Sequence, residues 1–372
     1  MGGLNCSVRI LYFTRDYTVH DRRFLTALAA TDHEVYYMAL ERLEYHKEQR
    51  ALPSKIKPIK WSGGRKPFHW LITTSLLFNL KKVLSLLKPD LIHAGPIQTS
   101  AFLSALSGFH PLVSMSWGYD LLHDADRNLM MRWITRYCLR NSDVLVGDCD
   151  SVRQKAIAFG MPDERIVTFP WGVDLQKFRV SGAILNSNNS FTLLSTRGWE
   201  PIYGVEIIAK AFVLAYQQHP ELRLVMLGNG SQTDRIYQIF MEGGISDQVS
   251  FPGQVGQNDL PNYYNSADLY VSASRSDGSS ISLLEAMASG LPVLVSDIPG
   301  NREWVTPGEQ GWLFPDGDAE ALAHAILNAV DNRTELKKLG NTARQTSVKR
   351  ADWNQNFKLL LDAYKLAINL SD

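Results

Sequence analysis

Residues 269–296 read LYVSASRSDGSSISLLEAMASGLPVLVS, and this stretch decides the fold class. Leu269–Ala273 is a short apolar run rich in strand formers, and Asp277-Gly278-Ser279-Ser280 has the chemistry of a helix start. Leu283–Ala288 reads as helix interior, and Gly290 with Pro292 stops it before a second apolar run, Pro292–Ser296. A strand, a helix and another strand joined this tightly form one unit of a parallel α/β sheet. The same alternation extends outward. In the first half the strand candidates are Val8–Phe13, Glu34–Ala39, Leu91–Ala94, Leu112–Met115, Val144–Asp148 and Ile166–Phe169. In the second they are Phe191–Ser195, Leu222–Leu227, Val249–Phe251 and the two runs already quoted. Ser181–Ser190, polar and containing SNNS, separates the series. The expected architecture is therefore α/β, with two doubly wound Rossmann-like domains over 1–177 and 191–351, a linker at 178–190 and a terminal segment 352–372. Such domains are expected to face one another across a cleft, with functional residues on loops just after strands.

Composition agrees with two soluble domains: 372 residues are 45% apolar and carry 38 Lys+Arg against 38 Asp+Glu. The balanced charge argues against a nucleic-acid binder. It hides an asymmetry, because residues 1–176 hold 22 Lys+Arg and 17 Asp+Glu, a net +5, which leaves −5 for the remainder. The excess is local: Lys47, Arg50, Lys55, Lys57, Lys60, Arg65 and Lys66 face a single acid, Glu48. Two readings stay open, a solvated loop and a patch that meets an anionic surface or acceptor. Phe68–Leu87 follows directly and is unusually apolar. The favoured reading is a buried packing helix, and the alternative joins Lys47–Leu87 into a peripheral membrane contact. Cys6, Cys138 and Cys149 form no CxxC pair, which speaks against a disulfide framework and a zinc site. With no secretory pattern in MGGLNCSVRILYF, the expected location is cytoplasmic, membrane-associated if the basic patch binds lipid.

The chemistry concentrates in Ser276–Gly290. Residues Ser280–Ser282, with Ile281 between them, offer unpaired backbone N–H groups at the positive end of a helix, which binds phosphate. Asp277 and Glu285 are eight residues apart, so they can touch opposite ends of one extended ligand. Carboxylates beside a phosphate site are tolerated where each accepts hydrogen bonds from sugar hydroxyls. The pattern suits a nucleotide sugar. The plainer alternative makes Asp277 a helix cap and Glu285 one polar residue of the helix.

The segment resembles the acidic-x7-acidic motif of the retaining family 4 glycosyltransferases, followed by their LEAMA and GLPVLVSD text. That resemblance implies the GT-B fold, with Glu285 on the nucleotide ribose and Asp277 on donor-sugar hydroxyls. It also brings Gly278, Ser279, Ser280, Ile281 and Ser282 near sugar and diphosphate. Asp277 stands where Glu is commoner. LLSTRGWEPIYGVEIIAKAF is similar to the family's strand–loop–helix in which an Arg and a Lys hold the diphosphate: Arg197 fits the first, and Tyr203 replaces the Lys. Gly228, in LGNG, and Gln254 with Val255 match segments lying near the nucleotide. The terminal helix ADWNQNFKLLLDAYKLAI resembles the one that returns to the first domain. On the acceptor side the chain departs most. Arg15 and His20 follow a first strand that lacks the usual glycines, SWGYD puts Trp117 and Asp120 where an HGxD-like stretch is expected, and His93 ends a strand.

The resemblance implies transfer of a sugar from a UDP-, GDP- or ADP-linked donor to a small-molecule, lipid-linked or glycan acceptor, in glycan, glycolipid or polysaccharide biosynthesis. Anomeric configuration is retained and neither metal nor other cofactor is required; the nearest acidic string, Asp148-Cys149-Asp150, lies in the first domain. Tyr203 and the missing glycines keep a non-catalytic nucleotide-sugar-binding subunit open as an alternative, beside an epimerase or phosphorylase on the same architecture.

Overall fold

The structure is a computed structural model that describes residues 7–41, 48, 50–64, 70–181 and 190–371. It divides into two compact units, Met1–Phe169 with Phe357–Asp372, and Pro170–Asn356.

The first unit holds a seven-stranded parallel sheet. Its strands are β1 (Arg9–Thr14), β2 (Glu34–Ala39), β3 (Lys57–Pro58), β4 (Leu91–Gly95), β5 (Leu112–Met115), β6 (Val144–Gly147) and β7 (Ile166–Thr168), in the order β3-β2-β1-β4-β5-β6-β7. The second unit holds a six-stranded parallel sheet of β8 (Phe191–Ser195), β9 (Leu222–Leu227), β10 (Val249–Gly253), β11 (Leu269–Ser272), β12 (Val293–Ser296) and β13 (Gly311–Phe314). Their order is β10-β9-β8-β11-β12-β13. Each sheet is doubly wound, with succession reversing direction once, between β1 and β4 and between β8 and β11. Helices cover both faces, so the inner strands are buried on both sides and read as unbroken apolar runs: Val144–Gly147, Leu269–Ser272 and Val293–Ser296 are buried at every position. Every strand expected from sequence is present within two residues at either end.

Two strands escape the sequence pattern. β3 is two exposed residues, Lys57 and Pro58, paired to Tyr36 and Tyr37. β13 begins on Gly311, where a Cβ would lie 1.8 Å from the Val293 carbonyl oxygen, so only glycine lets the strand approach β12.

The segment after Phe169 packs with the second unit rather than the first. Val173 N–H donates to the Ala351 carbonyl at 2.7 Å, Trp353 N–H donates to the Val173 carbonyl at 3.1 Å, and Arg344 Nη1 donates to the Phe178 carbonyl at 2.7 Å. Gly172 permits this at φ +65, since its Cβ would meet the Ala351 carbonyl at 2.6 Å. In the terminal helix Trp353–Ser371, Leu360, Ala363, Tyr364 and Ala367 are buried.

The apolar segment before β4 is not a buried helix. After a turn at Trp70–Ile72, the helix Thr73–Leu87 buries only Leu76, Leu80 and Leu84, one stripe at four-residue spacing packed into the first unit's core. Of the basic segment, Lys47, Arg65 and Lys66 lie outside the described residues. Arg50 pairs with Glu48 at 2.6 Å and Lys57 with Glu34 at 2.5 Å, so part of its charge is already neutralised.

Candidate functional site

The second unit's sheet reverses between β8 and β11, and the loops leaving these two strands carry most of the candidate residues. In doubly wound sheets this is where ligands bind. Glycines knit the loops together. Gly204, at φ +60, passes so close to β11's end that a Cβ would sit 2.0 Å from the Ala273 carbonyl, while Arg275 N–H donates to the Ile202 carbonyl at 2.9 Å. Gly300 lets the turn after β12 approach the next loop, since its Cβ would lie 2.3 Å from the Asp277 carbonyl and 2.6 Å from that of Gly278.

Arg197 organises the centre. Its Nη1 donates to Ser280 Oγ at 2.9 Å and to Ser282 Oγ at 3.1 Å, and its Nη2 lies 2.7 Å from Asp277 Oδ2. The guanidinium carbon stands 4.0 Å from the Tyr203 ring centroid. Tyr203 thus meets the arginine with its ring face. Tyr270 Oη donates to Ser282 Oγ at 3.0 Å and Trp304 Nε1 to Ser279 Oγ at 3.4 Å, so the serines are tied from both sides.

Ser280 is the N-cap of the helix Ile281–Ala288 but makes no side-chain capping bond; its hydroxyl serves Arg197 instead. Asp277 sits three residues before the cap, on the loop. The helix start therefore lacks a side-chain cap, and its first N–H groups carry the positive end of the helix dipole. Glu285, one turn further on, is buried among apolar residues and accepts from Tyr264 Oη at 2.9 Å. Tyr264 Oη also lies 3.0 Å from Thr196 Oγ1.

Burial raises the Asp277 carboxyl, with the Arg197 charge and hydrogen bonds from Ser280 and Gly278 pulling the other way. Burial also works against the Arg197 charge, but Asp277 and the neighbouring tyrosines outweigh it and leave the guanidinium raised. Burial, then the Glu285 charge, hold Tyr264 well above the ordinary phenol range, so it remains a hydrogen-bond donor. Gly228, at φ +94, would bring a Cβ within 2.9 Å of the Arg197 carbonyl, and its N–H donates to the Gly253 carbonyl at 2.7 Å. Gln254, exposed, and Val255, half-buried, come immediately after. The structure thus gathers Arg197, Tyr203, Asp277, Ser280 and Ser282 directly, with Glu285 on the same helix.

The first unit treats its candidates differently. Asp120 is buried, with Oδ1 accepting from Ser116 Oγ at 2.6 Å, Trp117 N–H at 3.0 Å and Leu121 N–H at 3.1 Å, and Oδ2 accepting from Ile97 N–H at 2.9 Å. All its capacity goes to holding the loop after β5 against the one after β4. His93 likewise belongs to the core. Its Nδ1 lies 2.5 Å from Tyr364 Oη and its Nε2 2.8 Å from Met115 Sδ, and burial lowers its pKa to about 3. Arg15 pairs with the buried Glu41. His20 is exposed, 5.8 Å from the half-buried Trp117 ring, which also meets Phe24 at 5.9 Å. Among the described residues no group of three or more His, Cys, Asp or Glu converges as metal ligands would.

Tyr264, Tyr270, Thr196 and Trp304 were not anticipated. Tyr264 and Tyr270 lie in NYYNSADLYVS, where they read equally well as packing aromatics; only the fold reveals that their hydroxyls point at Glu285 and Ser282.

Residues 18–177 match the family Glycosyltransferase Family 4, and residues 182–346 match Glycosyl transferases group 1. An amylovoran biosynthesis glycosyltransferase, AmsK, from Erwinia amylovora is 27% identical over 50% of this chain and 46% of its own length. A phosphatidyl-myo-inositol mannosyltransferase from Mycobacterium leprae is 30% identical over 45% of this chain and 44% of its own. The chain thus spans about half the length of these relatives. Among solved structures, Anabaena HepE in complex with UDP superposes with TM-score 0.79 at 18% identity, covering 96% of this chain and 99% of that one. A further structure of HepE holds UDP-glucose. The likeness establishes the GT-B fold.

Proposed function

The chain belongs to glycosyltransferase family 4, and from that premise we propose that it moves a sugar from a nucleoside diphosphate sugar to an acceptor hydroxyl with retention of anomeric configuration. The observation that carries this reading is the Arg197–Asp277–Ser280–Ser282 network at the uncapped start of Ile281–Ala288, with buried Glu285 one turn along the same helix.

On this reading the diphosphate takes its place against the helix start and Arg197. Phosphate oxygens are stronger acceptors for a guanidinium than serine hydroxyls and compete for the pairing that Asp277 holds without ligand. Released from Arg197, Asp277 accepts from hydroxyls of the donor sugar. Glu285, fixed by the Tyr264 hydroxyl, accepts from the ribose. In the transfer step the bond from the anomeric carbon to the leaving phosphate oxygen breaks while the acceptor oxygen attaches on the same face, and the phosphate oxygen takes the acceptor proton. Negative charge grows on the diphosphate. Arg197 and the helix dipole are already aimed at it, and such preorganised donors are typically the largest source of rate enhancement. Tyr203 stands where the family resemblance implies a Lys and leaves one cation fewer there, which keeps the non-catalytic nucleotide-sugar-binding subunit as the second reading.

The donor is nucleotide-linked, and UDP-glucose is the first ligand to try because HepE binds it. Acceptors follow from the relatives' names, polysaccharide intermediates and lipid-linked headgroups. A thermal-shift series with UDP-, GDP- and ADP-sugars, followed by nucleotide release against such acceptors, tests the proposal. One donor class should raise the melting midpoint and Glu285→Gln should abolish that rise. Turnover should be unaffected by chelators. Stabilisation without nucleotide release on any acceptor would favour the binding subunit, and no stabilisation by any donor would overturn both readings.

A further inference from the structure

The first unit carries an apolar surface unrelated to the residues above. Leu71 is 85% exposed, Phe78 73%, Leu129 84% and Trp133 58%, with Trp70, Ile72 and Met130 also exposed. These side chains come from two segments, Trp70–Leu87 and the helix Leu129–Arg140. The two segments come together at Phe102, whose ring Trp70 and Trp133 both meet edge-on, at 6.1 Å and 5.9 Å. Soluble proteins seldom expose so many large apolar groups together without a partner for them.

Charge identifies the partner. Neither helix contains an acidic residue. Thr73–Leu87 carries Lys81 and Lys82, and Leu129–Arg140 carries Arg132, Arg136 and Arg140, all exposed. Arg132 pairs with Asp126 at 2.6 Å, whereas Lys81, Lys82 and Arg136 form no ion pair among the described residues. The order along each segment matters as well. Exposed apolar groups come first, at Leu71, Ile72 and Phe78 and at Leu129, Met130 and Trp133, with Leu86 alone placed after the lysines. The cations lie mostly beyond them, at Lys81 and Lys82 and at Arg136 and Arg140. Hydrophobic ends meet around Phe102 with cations behind them, the distribution that lets aromatic and aliphatic groups enter acyl chains while lysine and arginine stay among anionic headgroups.

We propose that this face docks the protein on the surface of an anionic lipid bilayer. The contact is lateral. Trp70–Leu87 is long and apolar enough to span a membrane by length and composition, but Leu76, Leu80 and Leu84 are buried in the sheet's core and leave it only if the unit unfolds. A second copy of the chain is disfavoured as occupant, since a two-fold contact through the same patch sets cations against cations.

The test is flotation of the full chain with vesicles of phosphatidylcholine alone and with about one-quarter phosphatidylglycerol. Wild type should bind the anionic vesicles and release at about 1 M salt, where the screening length is roughly 3 Å. The combined Leu71→Ser, Phe78→Ser and Leu129→Ser variant should bind at least tenfold more weakly at an unchanged melting midpoint. Replacing Lys81, Lys82 and Arg136 by Ser should remove the preference for anionic lipid, roughly fivefold for each cation. Wild type that ignores both vesicles overturns the proposal, as does binding that survives both sets of substitutions. A dimer that falls apart in the apolar variant, without lipid binding in wild type, assigns the face to a second copy instead.

Discussion

The two sheets share one winding pattern and place loops at the same ends of their strands, yet they use buried polar groups for different purposes. In the second unit Arg197, Asp277, Ser280 and Ser282 mostly satisfy one another, and side-chain exposure of 12% at Arg197 and 20% at Asp277 leaves them reachable. In the first unit Asp120 is spent on three backbone N–H groups and a serine hydroxyl, and His93 on a tyrosine and a methionine. A side chain whose partners are other mobile side chains can exchange them for a ligand. One whose partners are backbone amides of its own loops, as those of Asp120 are, cannot do so without unfolding them, and His93 with its two side-chain partners is shut off by burial instead.

The largest effect expected from this contrast is an opposite pair of defects. Arg197→Ala should lower turnover by roughly 10²–10³ per folded molecule, as removal of one charge-stabilising donor does elsewhere, and the unpaired Asp277 adds some loss of stability. Asp120→Ala takes the acceptor from the Ile97 and Trp117 N–H groups, Leu121 N–H keeping the Gly118 carbonyl at 3.1 Å, and should cost about 2–4 kcal/mol of stability, with donor affinity per folded molecule unchanged. Denaturant unfolding and donor titration on both variants measure the two axes. An Asp120 variant of normal stability that fails to turn over would return this acid to the acceptor side.

His93 sharpens the same distinction through pH. Burial holds its folded pKa at about 3, below the ordinary 6.5. Below pH 6.5 the unfolded chain therefore takes up a proton that the folded chain refuses until about pH 3, so stability falls as the solution is acidified through that window. Asp21 acts oppositely. Burial raises its carboxyl to about 6 against hydrogen bonds from Thr18, and folding gains as pH falls from about 6 toward 4. The two slopes partly cancel in the wild type. His93→Gln removes the first, so at pH 4 the variant should gain about 3 kcal/mol relative to wild type compared with their difference at pH 7. Parallel pH profiles would mean that His93 is charged in the folded protein, hence open to solvent.

How much of this was legible in the sequence depends on the kind of burial. Strands buried on both faces announce themselves as apolar runs, and β1, β5, β6, β11 and β12 are of that type. β3, made of an exposed Lys and a Pro, has no such signature. The helix start at Asp277–Ser282 was readable because turn and capping residues act locally. Roles set across the fold were not: Tyr264 is separated from Glu285 by 21 residues and Phe178 from Arg344 by 166. The unit boundary near Pro170 depends on such pairings, with Val173 bonding to Ala351, and local composition therefore put it later in the chain. Thr73–Leu87 was apolar enough to suggest burial, whereas its buried stripe is only three leucines wide.

Tyr203 gives the smallest expected effect and the cleanest separation of two roles. The family resemblance puts Tyr203 in the place of a lysine on the diphosphate. In the structure the ring stacks at 4.0 Å on the Arg197 guanidinium, which fixes the cation that does carry charge. A cation–π contact of this kind contributes about 0.5–1 kcal/mol, or two- to fivefold in rate if Arg197 is held less well. Tyr203→Phe keeps the ring and should leave turnover near wild type, while Tyr203→Leu should lower it by that factor. If the phenol itself touches the leaving group, both variants lose activity equally, because each lacks the O–H. Tyr203→Lys separates the roles further: it supplies a second cation for the leaving group but removes the platform under Arg197. Its rate relative to Tyr203→Leu therefore measures how far the added charge offsets a less well held arginine.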